Sequence, residues 1–234
     1  MNAYQLRLAV RAFEREAEEA DRLAQPVDDG PPLPDLTQPG ALADAYDRYV
    51  VWRDADTGEE ARGISEIQRE WLEQATCFRF GPDGARLHGA DAWLKSRKVR
   101  ATSLIIGCLA IVMCCTRFRC ATIVQKKTED IGRDLWDRTR KMISELPRSW
   151  TGLEEGSAVP GLQSSSLEIP RTGSSWVVMT AGSARSVADK IGRSGTLNAV
   201  HLSEVSSYPH PDAVYAAAVR AMPERTSWLI GEST

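Results

Sequence analysis

Two short stretches carry residue types that could do chemistry together, although about a hundred residues separate them. Asn198 to Leu202 is a short apolar run bounded by Gly195 and a polar break, and the carboxylate of Glu204 follows it directly. A buried strand that delivers one acid to its tip is where an open α/β sheet places a general base or a metal-facing group. The alternative is an acid that only solvates a loop. The second stretch runs Lys95-Ser96-Arg97-Lys98-Val99-Arg100-Ala101-Thr102-Ser103 between an apolar strand ending near Leu94 and an apolar helix. Strand, cationic loop and a helix amino terminus rich in hydroxyls is the layout of a phosphate-binding loop. There backbone N–H groups and the helix dipole face an anion and a Thr hydroxyl reaches Mg²⁺. The glycines and the Gly-Lys-Thr ending of the usual pattern are missing, so the alternative is a plain basic turn.

Positioning such groups takes alternating strands and helices. Residues 92–94, 120–124, 198–202 and 227–230 read as buried strands. Residues 104–115, 128–146 and 213–222 read as helices, the second stopped by Pro147 and the third by Pro223. This alternation predicts an α/β fold with a largely parallel sheet. Residues 167–169 and 176–180 flank Arg171-Thr172-Gly173-Ser174 as a hairpin, and 78–87 forms another around Gly81-Pro82-Asp83-Gly84. Residues 41–53 and 64–75 read as helices, the latter with Ile64, Ile67, Trp71 and Leu72 on one side. Residues 3–24 form an amphipathic helical arm. Residues 26–40 hold five of the twelve prolines, which predicts a stiff linker and a boundary between residues 1–40 and a main domain over 41–234. Residues 151–165 and 182–196 read as loops, the second basic with Arg185, Lys190 and Arg193.

Composition excludes several classes. With 234 residues and 42% hydrophobic content the chain can bury a sizeable core, and a net charge of -3 does not mark a general nucleic-acid binder. The five cysteines form no CxxC pair, so neither a zinc site nor a disulfide framework is indicated and a reducing compartment is expected. Leu104 to Cys115 is too short to span a bilayer, so no membrane partner is expected. The charged amino terminus does not suggest export.

In this order the pieces resemble the ATPase domain of the large terminase subunit, the DNA-packaging motor of tailed bacteriophages. Lys95 to Ser103 is similar to that family's deviant Walker A loop, in which a cation at the start of the loop serves in place of the usual lysine. Gln125-Lys126 is similar to the segment after its second strand, and Leu167 to Ser174 to the stretch before its basic loop. His201-Leu202-Ser203-Glu204 resembles its Walker B strand, and Gly231-Glu232-Ser233-Thr234 its coupling motif.

The resemblance, which covers residues 65–234, implies a P-loop NTPase-like fold of the additional-strand, catalytic-glutamate (ASCE) type. It implies ATP and Mg²⁺ as cofactors, residues 95–103 as the phosphate site, and Lys95 or Arg97 as the cation on the β- and γ-phosphates. Thr102 becomes the Mg²⁺ ligand, Glu204 the group that orients and deprotonates water, and Arg193 a transition-state arginine or a DNA contact. Ser233 and Thr234 become the coupling residues. Ser203 stands where the family has the Walker B aspartate, which leaves the metal there to water or to Glu204, and Ala101 stands where the usual lysine would be. Gln68 is a candidate adenine reader, with a helical surface glutamine as the preferred alternative.

Double-stranded DNA, a portal protein, a small terminase subunit and further copies of the chain are the implied partners, in the host cytoplasm. The chain is expected to be a fragment that ends before the family's nuclease domain. Two competing readings are a non-hydrolysing interaction protein that kept the fold and a helicase-type P-loop ATPase.

Overall fold

The computed structural model describes residues 30–53, 59–95, 100–125, 129–154, 166–181, 196–223 and 225–234. The elements are α1 (Ala41–Tyr49), β1 (Trp52–Arg53), β2 (Glu60–Ala61), α2 (Glu66–Gln74), β3 (Gly89–Leu94), α3 (Ala101–Cys115) and β4 (Arg119–Val124). They continue with α4 (Glu129–Glu145), α5 (Arg148–Thr151), β5 (Ser166–Ile169), β6 (Ser174–Thr180), β7 (Ala199–Ser203), α6 (Pro211–Arg220) and β8 (Trp228–Ser233). Six strands form one sheet in the order β3-β8-β7-β4-β6-β5. All neighbours run parallel except the β5–β6 pair. The fold is therefore the expected α/β one, a mainly parallel sheet flanked by helices. One strand, β8, lies between β3, which leads to Lys95, and β7, which leads to Glu204.

The sheet and its neighbouring helices bury the most apolar helix between them for a physical reason. Every residue of α3 from Ser103 to Cys114 is buried, so this helix has no polar face to offer water and must lie at the centre of the core. No described helix is long and apolar enough to cross a membrane. Gly107 lets α1 approach: a Cβ there would stand 2.4 Å from the Tyr46 ring. The carboxyl end of α3 has no glycine cap. Instead Thr172 and Ser174, at the β5–β6 turn, donate hydroxyl hydrogen bonds to Met113 O at 2.6 and 2.9 Å, and Ser174 also to Thr116 O at 2.9 Å. These hydroxyls satisfy carbonyls that the last turn leaves without amide partners. At the base of β8, Trp228 is ringed by Phe78, Phe80 and Phe118 at centroid distances of 5.3 to 5.4 Å, and its indole N–H donates to Leu87 O.

Several boundaries differ from expectation. The helix expected over 41–53 stops at Tyr49, because Val50 turns extended and Trp52 pairs with Ala61 instead. In α2 the buried face is Gln68 and Leu72, while Ile67 is exposed; Gln68 closes a capping box with Ser65. Gln68 is thus a buried cap and not the surface glutamine preferred from sequence. The hairpin over 78–87 reduces to a single bridge between Phe80 and Arg86. Strand β8 runs on to Ser233, three residues past the expected Ile230, so Glu232 belongs to the sheet. Residues 30–40 lie on the body: Leu33 and Leu36 pack against the core, and Trp150 donates its indole N–H to Pro31 O at 2.8 Å. The helical arm at 3–24 and most of the loops at 151–165 and 182–196 fall outside the described residues.

Candidate phosphate and acid site at the strand tips

The carboxyl ends of β3, β8 and β7 lie side by side, and each delivers a charged or polar side chain to one place. Lys95 directly follows β3, and its backbone N–H extends the ladder to Ser233 O. The lysine side chain is 7% exposed, and its Nζ stands 3.0 Å from Glu204 Oε1 and 2.9 Å from Glu232 Oε2. A weaker hydrogen bond of 3.4 Å runs from Nζ to Thr102 Oγ1. Thr102, in the first turn of α3, donates its hydroxyl to Glu232 Oε1 at 2.8 Å, and Ser203 donates to the same oxygen at 2.7 Å. The cationic stretch and the acid-tipped strand therefore meet, as expected, through Lys95 and Thr102.

Two non-glycine residues bordering the site hold left-handed backbone. Glu204 has φ 57 and ψ 52, and Arg100 has φ 57 and ψ 34. Such conformations cost of order 1–3 kcal/mol and persist only where surroundings impose them. For Glu204 the surroundings are explicit. Thr234 donates its N–H and hydroxyl to Oε2 at 3.1 and 2.9 Å, Lys95 holds Oε1, and Ser207 donates its hydroxyl to the Glu204 carbonyl at 2.6 Å. Ser233 binds the turn after Glu204 through Ser206, N–H to Oγ at 3.3 Å and hydroxyl to hydroxyl at 2.5 Å. Both expected coupling residues thus grip the loop that carries the acid.

The remaining expected residues are placed differently. The Arg100 guanidinium stacks 3.9 Å over the Trp52 ring. Ala101 and Ser103 are buried at the start of α3, so Thr102 is the hydroxyl of this turn that reaches the acids. Ser96, Arg97, Lys98, Val99 and Arg193 lie outside the described residues.

Two groups that the sequence reading did not single out sit beneath the site. Glu232 is 1% exposed, and His201 is fully buried with Nε2 3.6 Å from Glu232 Oε1. His201 Nε2 has no hydrogen-bond partner among the described residues. Its Nδ1 faces Thr122 Oγ1 at 3.5 Å, and Thr122 in turn accepts from the Trp176 indole N–H at 3.0 Å. A line of polar side chains therefore crosses the core from β6 through β4 and β7 to β8.

Burial pushes the Glu232 carboxyl upward in pKa, but the His201 ring, the Lys95 ammonium and the Ser203 hydroxyl outweigh it and hold the group well below the usual carboxylate range. For Lys95, burial disfavours the charge, yet Glu232 and Glu204 more than offset it and raise the ammonium above its ordinary value. In the sequence Glu232 stands within the quoted stretch Gly231 to Thr234, but that it faces Ser203 follows from strand register, which is invisible before the strand order is known.

Chemically, the arrangement suits an anion paired with a cation. The first turn of α3 directs its backbone N–H groups outward from the helix start, the Lys95 ammonium lies beside it, and three oxygens, from Thr102, Glu204 and Glu232, converge on that ammonium. A positive charge is accommodated there already, so the oxygen donor set fits a hard divalent ion accompanying a polyphosphate. No group of three His, Cys, Asp or Glu side chains able to hold a metal by itself occurs among the described residues.

No family model and no curated protein sequence matches the chain. Among solved structures it is similar to the ATPase domain of the large terminase of Thermus phage P74-26, with 14% identity and a TM-score of 0.45, over 74% of this chain and 65% of that one.

Proposed function

We propose that this chain binds Mg²⁺·ATP at the tips of β3, β7 and β8 and hydrolyses it. One observation carries the reading: the Lys95 ammonium, the Thr102 hydroxyl at a helix start and the Glu204 carboxylate meet within hydrogen-bond reach at the carboxyl edge of a parallel sheet. Phosphoryl transfer to water needs a charge cradle, a metal and a positioned nucleophile, and little covalent work by the protein. In this reading Lys95 leaves the acids and turns to the β- and γ-phosphates, alongside the amides of the first turn of α3. Thr102 holds Mg²⁺, which when bound neutralises charge on the phosphate oxygens. Glu204 orients the attacking water and takes its proton. Its carboxylate is the most accessible of the charged groups here, with a 36% exposed side chain, so water can reach it. Thr234 and Ser233, bonded to Glu204 and to the turn after it, transmit the loss of the γ-phosphate.

The finer reading, a DNA-packaging motor of terminase type acting on double-stranded DNA with a portal protein, a small subunit and further copies of the chain, is supported by the order of its motifs along the sequence. ATP turnover by the purified protein, compared with Glu204→Gln, tests the core of the proposal. A fall of about a hundredfold or more is expected on losing a general base; equal rates would leave a non-hydrolysing interaction protein. Stimulation by duplex ends together with binding to a portal ring separates the packaging motor from a helicase-type ATPase.

A further inference from the structure

We infer that Glu232 on β8, and not a residue of the β7 strand, is the acid that works with Thr102 to hold the divalent cation. This rests on the ATPase reading above and adds a residue to it. The resemblance places the metal-facing acid at position 203, where this chain has serine. In the structure Ser203 and Glu232 are direct partners in the parallel ladder between β7 and β8. Neighbouring strands lie about 4.8 Å apart, and glutamate is one methylene longer than aspartate. A glutamate on β8 can therefore bring its carboxylate to the place an aspartate on β7 would serve.

The contacts agree with that substitution. Thr102, the hydroxyl assigned to the metal, is bonded to Glu232 Oε1, and Ser203 donates to the same oxygen, so the serine now fixes the direction of its neighbour's carboxylate. The other oxygen, Oε2, faces the Lys95 ammonium at 2.9 Å.

Charge balance points the same way. A fully buried carboxylate must keep a compensating positive charge. In the nucleotide-free arrangement Lys95 supplies it. Once Lys95 turns to the phosphates, Glu232 keeps only the His201 ring, 3.6 Å away, beside it, and the cation that travels with the triphosphate is the natural replacement for the ammonium. Glu204 does not fill this role equally well, because its side chain is partly exposed and already engaged by Thr234.

The test measures binding of Mn²⁺ with a non-hydrolysable ATP analogue by electron paramagnetic resonance, and binding of the analogue alone in EDTA by fluorescence. The proteins are wild type, Glu232→Gln and the swap Ser203→Asp/Glu232→Ser. Glu232→Gln should weaken Mn²⁺-dependent binding about tenfold or more, the usual loss when a group supporting a metal is removed. Binding in EDTA should stay within about twofold, far less than the tenfold that about 1.4 kcal/mol represents. The swap should recover most of the loss, because it returns an acid to the same corner from the other strand.

Should Glu232→Gln not fold, the swap decides: folded and Mn²⁺-binding supports the inference, folded and metal-blind overturns it. Should neither variant fold, wild-type protein carrying ¹³C at its glutamate carboxyls decides. Mn²⁺ with the analogue must broaden the assigned Glu232 carboxyl signal more strongly than that of Glu204; the reverse order overturns the inference. If Glu232→Gln binds Mn²⁺ and analogue as wild type does, the inference fails and the ATPase reading survives. If wild type binds no analogue with or without metal, both fall.

Discussion

Removing the Lys95 ammonium while keeping most of its aliphatic bulk, by Lys95→Met, isolates the electrostatic content of the site. The lysine side chain is 7% exposed and that of Glu232 is wholly buried, so solvent screens their pairing weakly. Glu204, with a third of its side chain in water, contributes little by comparison. In the folded protein the Glu232 carboxyl is drawn from an ordinary 4.5 to about 2, which at about 1.36 kcal/mol per pKa unit corresponds to roughly 3 kcal/mol favouring the folded state when the group is ionised. That stabilisation is present above pH 4.5 and is lost as pH falls toward 2.

Without Lys95 the carboxylate is buried with one counter-charge fewer, so its pKa rises partway, the His201 ring and the Ser203 hydroxyl still holding it down. A loss of about 1–2 kcal/mol, part of the whole, is expected at neutral pH, or about 2–8 °C in Tm for a chain of this size. The deficit relative to wild type must shrink as the pH is lowered from 7 to 4, because protonation then relieves the unpaired charge. The double variant Lys95→Met/Glu232→Met should lose less than the single one, since removing both members of a buried pair leaves no orphan. Thermal unfolding followed by tryptophan fluorescence at pH 7, 5.5 and 4 measures all three. A pH-independent deficit, or a double variant less stable than Lys95→Met, would refute a buried charge network at the strand tips.

Two further outcomes follow from the packing and from the loop. Gly107→Ala places a methyl 2.4 Å from the Tyr46 ring and should cost about 1–3 kcal/mol in chemical denaturation, with Tyr46→Leu in the same background recovering part of it. Thr234→Val removes the hydroxyl hydrogen bond to Glu204 Oε2 but keeps the backbone one; kcat for ATP should fall about tenfold with KM little changed, as befits a group that orients the acid and does not touch substrate.

What the sequence disclosed follows from which interactions are local. The apolar run Leu104–Cys115 could be nothing but a buried helix, and the alternation of buried strands with helices required a parallel sheet. That Glu204 stands at a strand tip was legible because it directly follows a short apolar run, although an acid that only solvates a loop reads the same way. That Lys95 and Thr102 flank a strand-to-helix turn was legible in the same pattern. The rest depended on partners far along the chain. Glu232 lies beyond the strand that the apolar run over 227–230 predicts, yet pairing with Ser203 carries the strand through it. Arg100 read as one more cation of the loop, but Trp52, which no local pattern connects to it, lies under its guanidinium. Ile67 seemed to belong to a buried face because periodicity counts apolar residues and cannot anticipate that the capping glutamine would turn inward instead.

Among the described residues strand β3 has a single neighbour in the sheet, β8, and β8 comes last of the six in sequence. During synthesis the segment carrying Lys95 must therefore wait with both its edges unpaired until well over a hundred further residues have emerged. Only insertion of Trp228–Ser233 between two strands laid down earlier joins the halves of the sheet, and long-range parallel pairing of this kind is slow and exposes the chain to misassociation. The same late insertion delivers Glu232, so the cluster of Lys95, Thr102 and Glu204 gains its buried acid only when β8 joins the sheet.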